Sequence, residues 1–356
     1  MKRFWIPILV SIFVGALFAP RLFGAWFLNL ANADIARAMS SDESVPRDAL
    51  LHRAQSQLDA AKSLSDDERI PLAQARVFLA RGDDQRAMQT FDQANASLRS
   101  DSIARFVWGQ AAWDAQQNDV AFEQWRAGGA FVYFSQNAHR AIDKHDWSEG
   151  ARLARIGIGI DPMSADMHHV LSFALSHLNP NDLDALNQVD LAIAFAPDDE
   201  LLSTYLSLKG EILNGQGNWQ IAINVFDTAR AVAPLDARPR TDLALLWLRR
   251  QPNLRDDAIA LLTQVVGDSP WYTAAYIALA DESEKQGDLK QSESWLQKGL
   301  AQNPNSADML FALGKYYARP KRVDEARTLL TQAQKVEMRI DLVPMIQNAL
   351  AELDAK

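Results

Sequence analysis

The chain has 356 residues, more acidic than basic side chains and no cysteine. Its 45 acidic and 36 basic residues give a formal net charge of −9, and no segment forms the basic stripe that nucleic-acid phosphates require. The lack of thiols excludes disulfides, a lipid-modified cysteine, c-type haem attachment and cysteine-ligated metals. The composition therefore argues against a nucleic-acid partner and against several classes of metal and haem protein.

An uncharged apolar segment follows Lys2 and Arg3 and reaches residue 20, and a second apolar stretch continues beyond Arg21. A bilayer-spanning helix needs roughly 17–25 apolar residues, so residues 4–30 are long enough to form one tilted membrane anchor. Positive charge before the segment favours a cytoplasmic N-terminus. We therefore expect a single-pass membrane protein whose main body lies outside the cytoplasmic membrane.

Two other interpretations of residues 1–33 remain open. The small residues of Ala31-Asn32-Ala33 resemble a signal-peptidase site, and cleavage there would give a secreted protein. The apolar stretch is nevertheless longer than the roughly 7–15 residues of a signal-peptide core. Alternatively, the protein is cytosolic and buries an N-terminal helix.

The remainder of the chain carries a motif that returns about every 34 residues. In residues 217–229 a small residue, a large residue and a second small residue lie on one helical face, and Pro234 follows. Gly, Asp and Asn cluster before the motif, where they favour turns and helix caps. Small residues at the first position of the motif recur at Ala54, Ala87, Ala121, Gly150, Ala185, Ala222, Ala258, Ser292 and Ala326.

This pattern resembles the tetratricopeptide repeat (TPR) family, whose unit is a pair of antiparallel helices. The resemblance implies an all-α, right-handed α-solenoid of eight to nine helix-turn-helix repeats behind an N-terminal hydrophobic helix. We place the solenoid at residues 34–338 and a C-terminal capping helix at residues 339–356. The spacing is least regular around residues 130–200, so the pattern does not fix the repeat count there.

In this family the first helix of each repeat lines a concave groove that holds a protein or peptide partner. The resemblance therefore implies a groove to which ten residues contribute: Arg69, Arg76, Phe106, Gln110, Trp113, His139, Ser207, Glu211, Trp247 and Lys315. The family's clamp for a C-terminal carboxylate needs Lys and Asn at two of these positions. Ser207 and Glu211 stand there instead, so no such clamp is expected.

No motif indicates catalysis, a cofactor or a metal. The six histidines show no i, i+4 pair typical of a helical zinc site, and the acidic runs precede helices, where they favour the positive end of the helix dipole. No phosphate-binding loop, dinucleotide fingerprint or nucleophile elbow occurs. We therefore predict a protein that is not an enzyme and has no cofactor.

The leading hypothesis is a membrane-tethered scaffold that binds protein or peptide partners in an envelope or secretory assembly. One alternative is a cytosol-facing tether that recruits a soluble enzyme, for example for surface polysaccharide synthesis. A remote alternative is an enzyme whose site has no recognised motif.

Overall fold

A computed structural model describes residues 5–40, 45–94, 99–319, 322–336 and 342–354, with side chains from residue 19 onward. These residues form helices and no strand. The first ten helices are α1 Trp5–Ala38, α2 Arg47–Leu64, α3 Ile70–Ala80, α4 Asp84–Asp92, α5 Ser102–Asp114, α6 Asn118–Ala127, α7 Phe131–Asp143, α8 Trp147–Ile160, α9 Ala165–Leu178 and α10 Leu183–Ala194. The next nine are α11 Asp199–Gly215, α12 Trp219–Val232, α13 Ala237–Arg250, α14 Arg255–Asp268, α15 Thr273–Lys285, α16 Leu289–Gln302, α17 Ala307–Ala318, α18 Val323–Val336 and α19 Leu342–Asp354.

The described helices form nine consecutive pairs and one final helix. Each of the nine small residues predicted to begin the motif lies in the second helix of a pair and is buried, as Ala222 and Ala326 illustrate with no exposed surface. Small residues are required there because the two helix backbones approach closely. The all-helical, TPR-like architecture is therefore confirmed, and the predicted motif positions lie in the second helices.

The turns between paired helices follow from local chemistry. Gly82, Gly217 and Gly287 have φ values of 74°, 84° and 80°, a left-handed conformation that glycine adopts without steric cost. Asp83 then accepts a hydrogen bond from the backbone of Arg86 and so caps α4. Gly82-Asp83 and Gly287-Asp288 thus each end one helix and begin the next, because Asp288 caps α16 in the same way.

The chain divides into two compact units, which are described separately. Unit 1 comprises residues 1–134 and 159–162. Leu28, Ala31 and Ile35 of α1 are completely buried against α2 and α3. The sequence-based boundary between residues 33 and 34 therefore falls inside a continuous helix whose C-terminal half belongs to the packed core.

The side chains of residues 1–18, which contain most of the predicted membrane anchor, lie outside the described residues. Within the part of the chain that the structure describes, no helix combines the length and apolarity needed to cross a membrane.

An aromatic centre holds α5 and α6 together in unit 1. Trp125 is 1 % exposed, and its indole Nε1 donates to the carbonyl of Phe106 at 3.1 Å. Gly109 faces this ring so closely that an added Cβ would lie 2.5 Å from the indole. Phe134 packs on the other side, with ring centroids 4.7 Å apart. The large and small motif residues therefore fit together at this crossing.

Unit 2 comprises residues 135–158 and 163–356. Its pairs cross in the same way, since a Cβ on Gly210 would lie 2.5 Å from the ring of Phe226. Beginning at α9, each first helix also contacts the next first helix of the unit as far as α17, and α17 contacts α19. The final helix buries Leu342, Ile346 and Leu353. Unit 2 therefore carries a series of adjoining first helices, and we call their exposed side the first-helix wall.

Candidate functional site

In unit 1 the two predicted groove residues at the start and middle of α3, Arg69 and Arg76, have different surroundings. Arg69 caps the start of α3 and forms an ion pair with Asp67 at 2.7 Å, leaving the Arg69 side chain 64 % exposed. Arg76 lies at the middle of α3 and is half-buried. Arg69 is therefore engaged by its own turn, whereas Arg76 lies on the body of the helix.

The predicted residues of α5 contact the aromatic centre. Phe106 stacks on Phe134 at 6.0 Å between ring centroids, and the ring of Trp113 lies 5.8 Å from that of Trp125. Gln110 donates a hydrogen bond to Asp114 one turn further along α5. All three are half-buried, so Phe106 and Trp113 serve packing and also present an edge to solvent.

In unit 2 the predicted residues separate into buried and exposed groups. Ser207 has no exposed surface, and its hydroxyl donates to the carbonyl of Ser203, so it is not part of an accessible wall. Trp247 is half-buried against the core of unit 2. Lys315 is exposed and holds its ammonium group 5.3 Å from the ring centroid of Phe311.

Glu211 is at the centre of a charged cluster that joins α11 to α13. One oxygen of its carboxylate accepts hydrogen bonds from Arg238 Nε and Nη2, at 3.1 and 2.7 Å. Asp242 lies one turn after Arg238 on α13, and its Oδ2 is buried with no hydrogen-bond partner among the described residues. Tyr272, which precedes α15, is half-buried nearby. We call Glu211, Arg238, Asp242 and Tyr272 the central cluster.

The central cluster is electrostatically perturbed. Burial raises the pKa of Asp242 to about 7, and the neighbouring negative charge of Glu211 adds to this effect more than Arg238 opposes it. Burial also raises the pKa of Tyr272 to about 12, with the charge of Asp242 as the next cause. The wall therefore places a weakly acidic carboxyl group and a phenol beside a charged arginine.

A second polar group lies where α7 and α9 face each other. His139 Nε2 is 3.0 Å from each oxygen of Asp166, and the hydroxyl of Ser135 donates to the same carboxylate at 3.3 Å. The hydrogen bond that His139 donates to Asp166 raises the pKa of His139 above its usual value. His169 lies one turn beyond Asp166, and burial lowers the pKa of this second imidazole to about 4.

The sequence-based register of α13 needs correction. In the register that the family resemblance implies, the groove positions of α13 also include Arg240 and Leu243, but these residues are 4 % and 0 % exposed. The reason is an extra 3₁₀ turn, Pro252–Leu254, between α13 and α14, which shifts the first helix relative to the second. The repeat pattern consequently did not predict Arg238 and Asp242 as wall residues. The 36-residue spacing from Ala222 to Ala258 exceeds the regular repeat by about two residues, but it does not show where in the unit the extra residues lie.

The chemistry of the wall suits binding by charge and shape. Among the described residues, no three His, Asp or Glu side chains are grouped so that they could hold a metal ion. Glu211 and His177 line a shallow cavity of about 180 Å³ between α9 and α11. A larger cavity of about 310 Å³ lies between α15, α17 and α19.

Comparisons with known proteins identify the repeats. Models of the tetratricopeptide repeat match residues 208–270 and 255–309. A tetratricopeptide repeat protein from Parabacteroides merdae is 13 % identical over 82 % of this chain and all of its own, with a TM-score of 0.51. No curated protein sequence matches the chain.

Two further solved structures show weaker similarity. The thermophilic TPR protein TTC0263 of Thermus thermophilus is 17 % identical over 54 % of this chain and 100 % of its own, with a TM-score of 0.44. PilF of Pseudomonas aeruginosa is 17 % identical over 64 % of this chain and 97 % of its own, also with a TM-score of 0.44.

Proposed function

The chain belongs to the tetratricopeptide repeat family, and we propose that it is a scaffold that binds a protein or peptide partner on the first-helix wall of unit 2. Proteins of this family generally act as non-enzymatic scaffolds. A series of stacked helices presents an extended surface, and such surfaces accept a peptide or a helix without a large conformational change.

The central cluster is the observation that carries this proposal. Removing charged groups from water costs free energy, and packed apolar residues would stabilise the same position at least as well. Here Glu211 and Arg238 are 38 % exposed, and Asp242 has a buried oxygen without a partner. Charges held in a partly desolvated position give specificity and interaction strength when a complementary surface covers them.

We further propose that α1 tethers the protein to a membrane and that the repeats act in an envelope or secretory assembly outside the cytoplasmic membrane. Support comes from the uncharged residues 4–20 and from the exposed face of the same helix. Leu22, Phe23 and Trp26 are 70 %, 59 % and 53 % exposed. Trp is favoured at membrane interfaces, and exposed apolar stripes are uncommon without a partner.

Retention of the N-terminal segment is favoured over cleavage after Ala33. Cleavage there would remove Leu28 and Ala31 from the unit 1 core. It would also make Asp34 the new N-terminal residue, although its carboxylate now binds Arg53 at 2.7 Å as part of the packed helix. Mass spectrometry of the mature protein tests this point, and a mature N-terminus at residue 34 would contradict it.

Affinity capture with the full-length chain tests partner binding. Arg238→Ala should reduce the amount of captured partner, because an arginine at the centre of an interface commonly contributes about 2 kcal/mol or more. Arg230→Ala is the matched control, since Arg230 also pairs with a carboxylate, Asp227, and is similarly exposed, at 42 % against 38 % for Arg238, but lies on the second helix α12. Equal loss of capture in both variants, or loss only in the control, would place the partner elsewhere.

Membrane orientation can be tested because the chain has no cysteine. A single cysteine at the exposed position Gln220 should react with a membrane-impermeant maleimide in intact cells if the repeats lie outside. Labelling only after lysis would favour the cytosol-facing tether that recruits a soluble enzyme.

A further inference from the structure

The cavity of about 310 Å³ in unit 2 combines an apolar floor with charged edges. Ile277, Phe311 and Leu342 form its floor, and Met345 is 49 % exposed at its rim. Its volume is at the lower end of the roughly 300–1,000 Å³ found for small-molecule sites. The cavity therefore accommodates one or two side chains of a binding partner.

Some of the charged groups around this cavity have an interaction partner, and one forms neither an ion pair nor a hydrogen bond with the described residues. Glu284 and Arg319 form an ion pair with each other. The Lys315 ammonium lies over the ring of Phe311. Asp281 is exposed to the cavity and forms neither an ion pair nor a hydrogen bond with any residue that the structure describes.

The surroundings of Asp281 disfavour its ionised form. Partial burial raises the pKa of this carboxyl group, and the positive charges of Lys285, Arg319 and Lys315 counteract burial only in part. A cation placed directly against Asp281 would add the ion pair that none of these three residues forms with it. The position is thus prepared for a positively charged ligand group.

We propose that this cavity receives a lysine or arginine side chain of the bound partner, with its cationic end against Asp281 and its aliphatic stem on the apolar floor. This inference rests on the proposed function, because it assigns one contact of the peptide that the wall binds. Lysine and arginine combine a long apolar stem with a charged end, which matches the two parts of the cavity.

Side chains of other chemistry fit less well. A purely apolar side chain would cover the floor but leave the Asp281 carboxylate further desolvated without a partner. An acidic side chain would meet the carboxylates of Asp281, Glu284 and Asp308, which all line the cavity. Of the two cations in the lining, Arg319 already pairs with Glu284, and the ammonium group of Lys315 already lies over an aromatic ring. The net charge of −9 also attracts basic segments from a distance.

A pair of fluorescently labelled peptides tests the proposal on the full-length chain in detergent micelles. The first contains Leu-Arg-Leu, and the second replaces arginine by citrulline, a neutral side chain of nearly identical shape. Fluorescence anisotropy should give an affinity for the arginine peptide at least tenfold higher, which corresponds to about 1.4 kcal/mol. Equal affinities, or no binding of either peptide at about 1 mM, would overturn the proposal.

Asp281→Asn identifies the residue responsible. It should reduce the affinity for the arginine peptide to that for the citrulline peptide, while the citrulline peptide binds as before. Asp227→Asn removes the same charge from the exposed side of α12 and should leave the preference for arginine unchanged. A preference that survives Asp281→Asn, or disappears in Asp227→Asn, would contradict a specific contact at this cavity.

The outcome is separable from that of the proposed function. If Asp281→Asn has no effect on the peptides but Arg238→Ala still abolishes capture of the partner, the scaffold function stands and the assignment of this cavity fails. If the arginine preference depends on Asp281 while Arg238→Ala leaves capture unchanged, the assignment of this cavity stands and the central cluster is not the binding site of the captured partner. Dimerisation of the chain that Met345→Lys disrupts, without an arginine preference, would show that a second copy covers the cavity instead.

Discussion

At the crossing of α11 and α12, Gly210 lies against the ring of Phe226, whereas the next residue, Glu211, belongs to the first-helix wall and binds Arg238. The crossing allows little choice of residue because two helix backbones meet there at close distance. The wall allows many choices, because its side chains need only avoid unfavourable burial. Packing therefore restricts the residue at Gly210, whereas it leaves the choice at the adjacent Glu211 open.

The largest loss of stability should come from removing a large side chain at a helix crossing. Phe226→Ala removes a ring that is 2 % exposed, and we expect a loss of about 3–5 kcal/mol in the free energy of unfolding. Chemical denaturation followed by circular dichroism measures this loss. Ile221→Ala is the control on the same helix, since Ile221 is 53 % exposed. Similar losses in both variants would contradict the assigned packing of α12.

Replacing a small residue by a large one at a helix crossing should cost less stability. Ala222→Leu adds volume where no surface is exposed, and we expect a cost of about 1–3 kcal/mol; Ala326→Leu should behave alike. Gln220→Leu adds an apolar side chain at an exposed position of the same helix and should cost far less. Melting temperatures that are equal for all three variants would be inconsistent with the repeat register.

The helix crossings could be predicted from sequence because each repeat needs a small residue where its two helix backbones meet. The small residues at Ala222 and Ala326 recur at a nearly fixed spacing, and each is buried as that spacing requires. Gly150 was also predicted correctly although the spacing before it is irregular, since it packs against Ile142 of the preceding helix. Packing between neighbouring helices therefore leaves a local signal in the chain.

The wall could be predicted only in part. Glu211 was found because α11 follows the regular register, but Ser207 on the same helix is buried. Arg238 and Asp242 were missed because the 3₁₀ turn before α14 shifts α13 by about two residues relative to the repeat. Which side chains meet across neighbouring first helices depends on such shifts, and the repeat pattern does not encode them.

The contribution of the wall to the free energy of unfolding should depend on pH, whereas that of the helix crossings should not. Because burial raises the pKa of Asp242 to about 7, the folded state holds this proton more tightly than the unfolded state. The stability that Asp242 contributes therefore falls as the pH rises from about 4 to about 7. Asp242→Asn should raise the free energy of unfolding by about 1–2 kcal/mol more at pH 8 than at pH 5.

Urea titrations at the two pH values measure this difference. Asp143→Asn is a suitable control because Asp143 is an exposed residue at the end of α7. A gain from Asp242→Asn that is the same at pH 5 and pH 8 would show that ionisation of this carboxyl group is not responsible.

The smallest effect is expected for the exposed pair that His139 of α7 forms with Asp166 of α9. The His139 and Asp166 side chains are 48 % and 46 % exposed, and ion pairs of this kind contribute about 0–1 kcal/mol to stability. Since the hydrogen bond to Asp166 raises the pKa of His139, the pair contributes fully below the unfolded value of 6.5 and is lost as the pH rises through the folded value. Asp166→Asn should therefore lower the pKa of His139, as followed by NMR titration of its imidazole, while the melting temperature changes little. An unchanged titration of His139 would show that this contact does not form in solution, whereas a large loss of stability would mean that the exposed wall is constrained as tightly as the crossings.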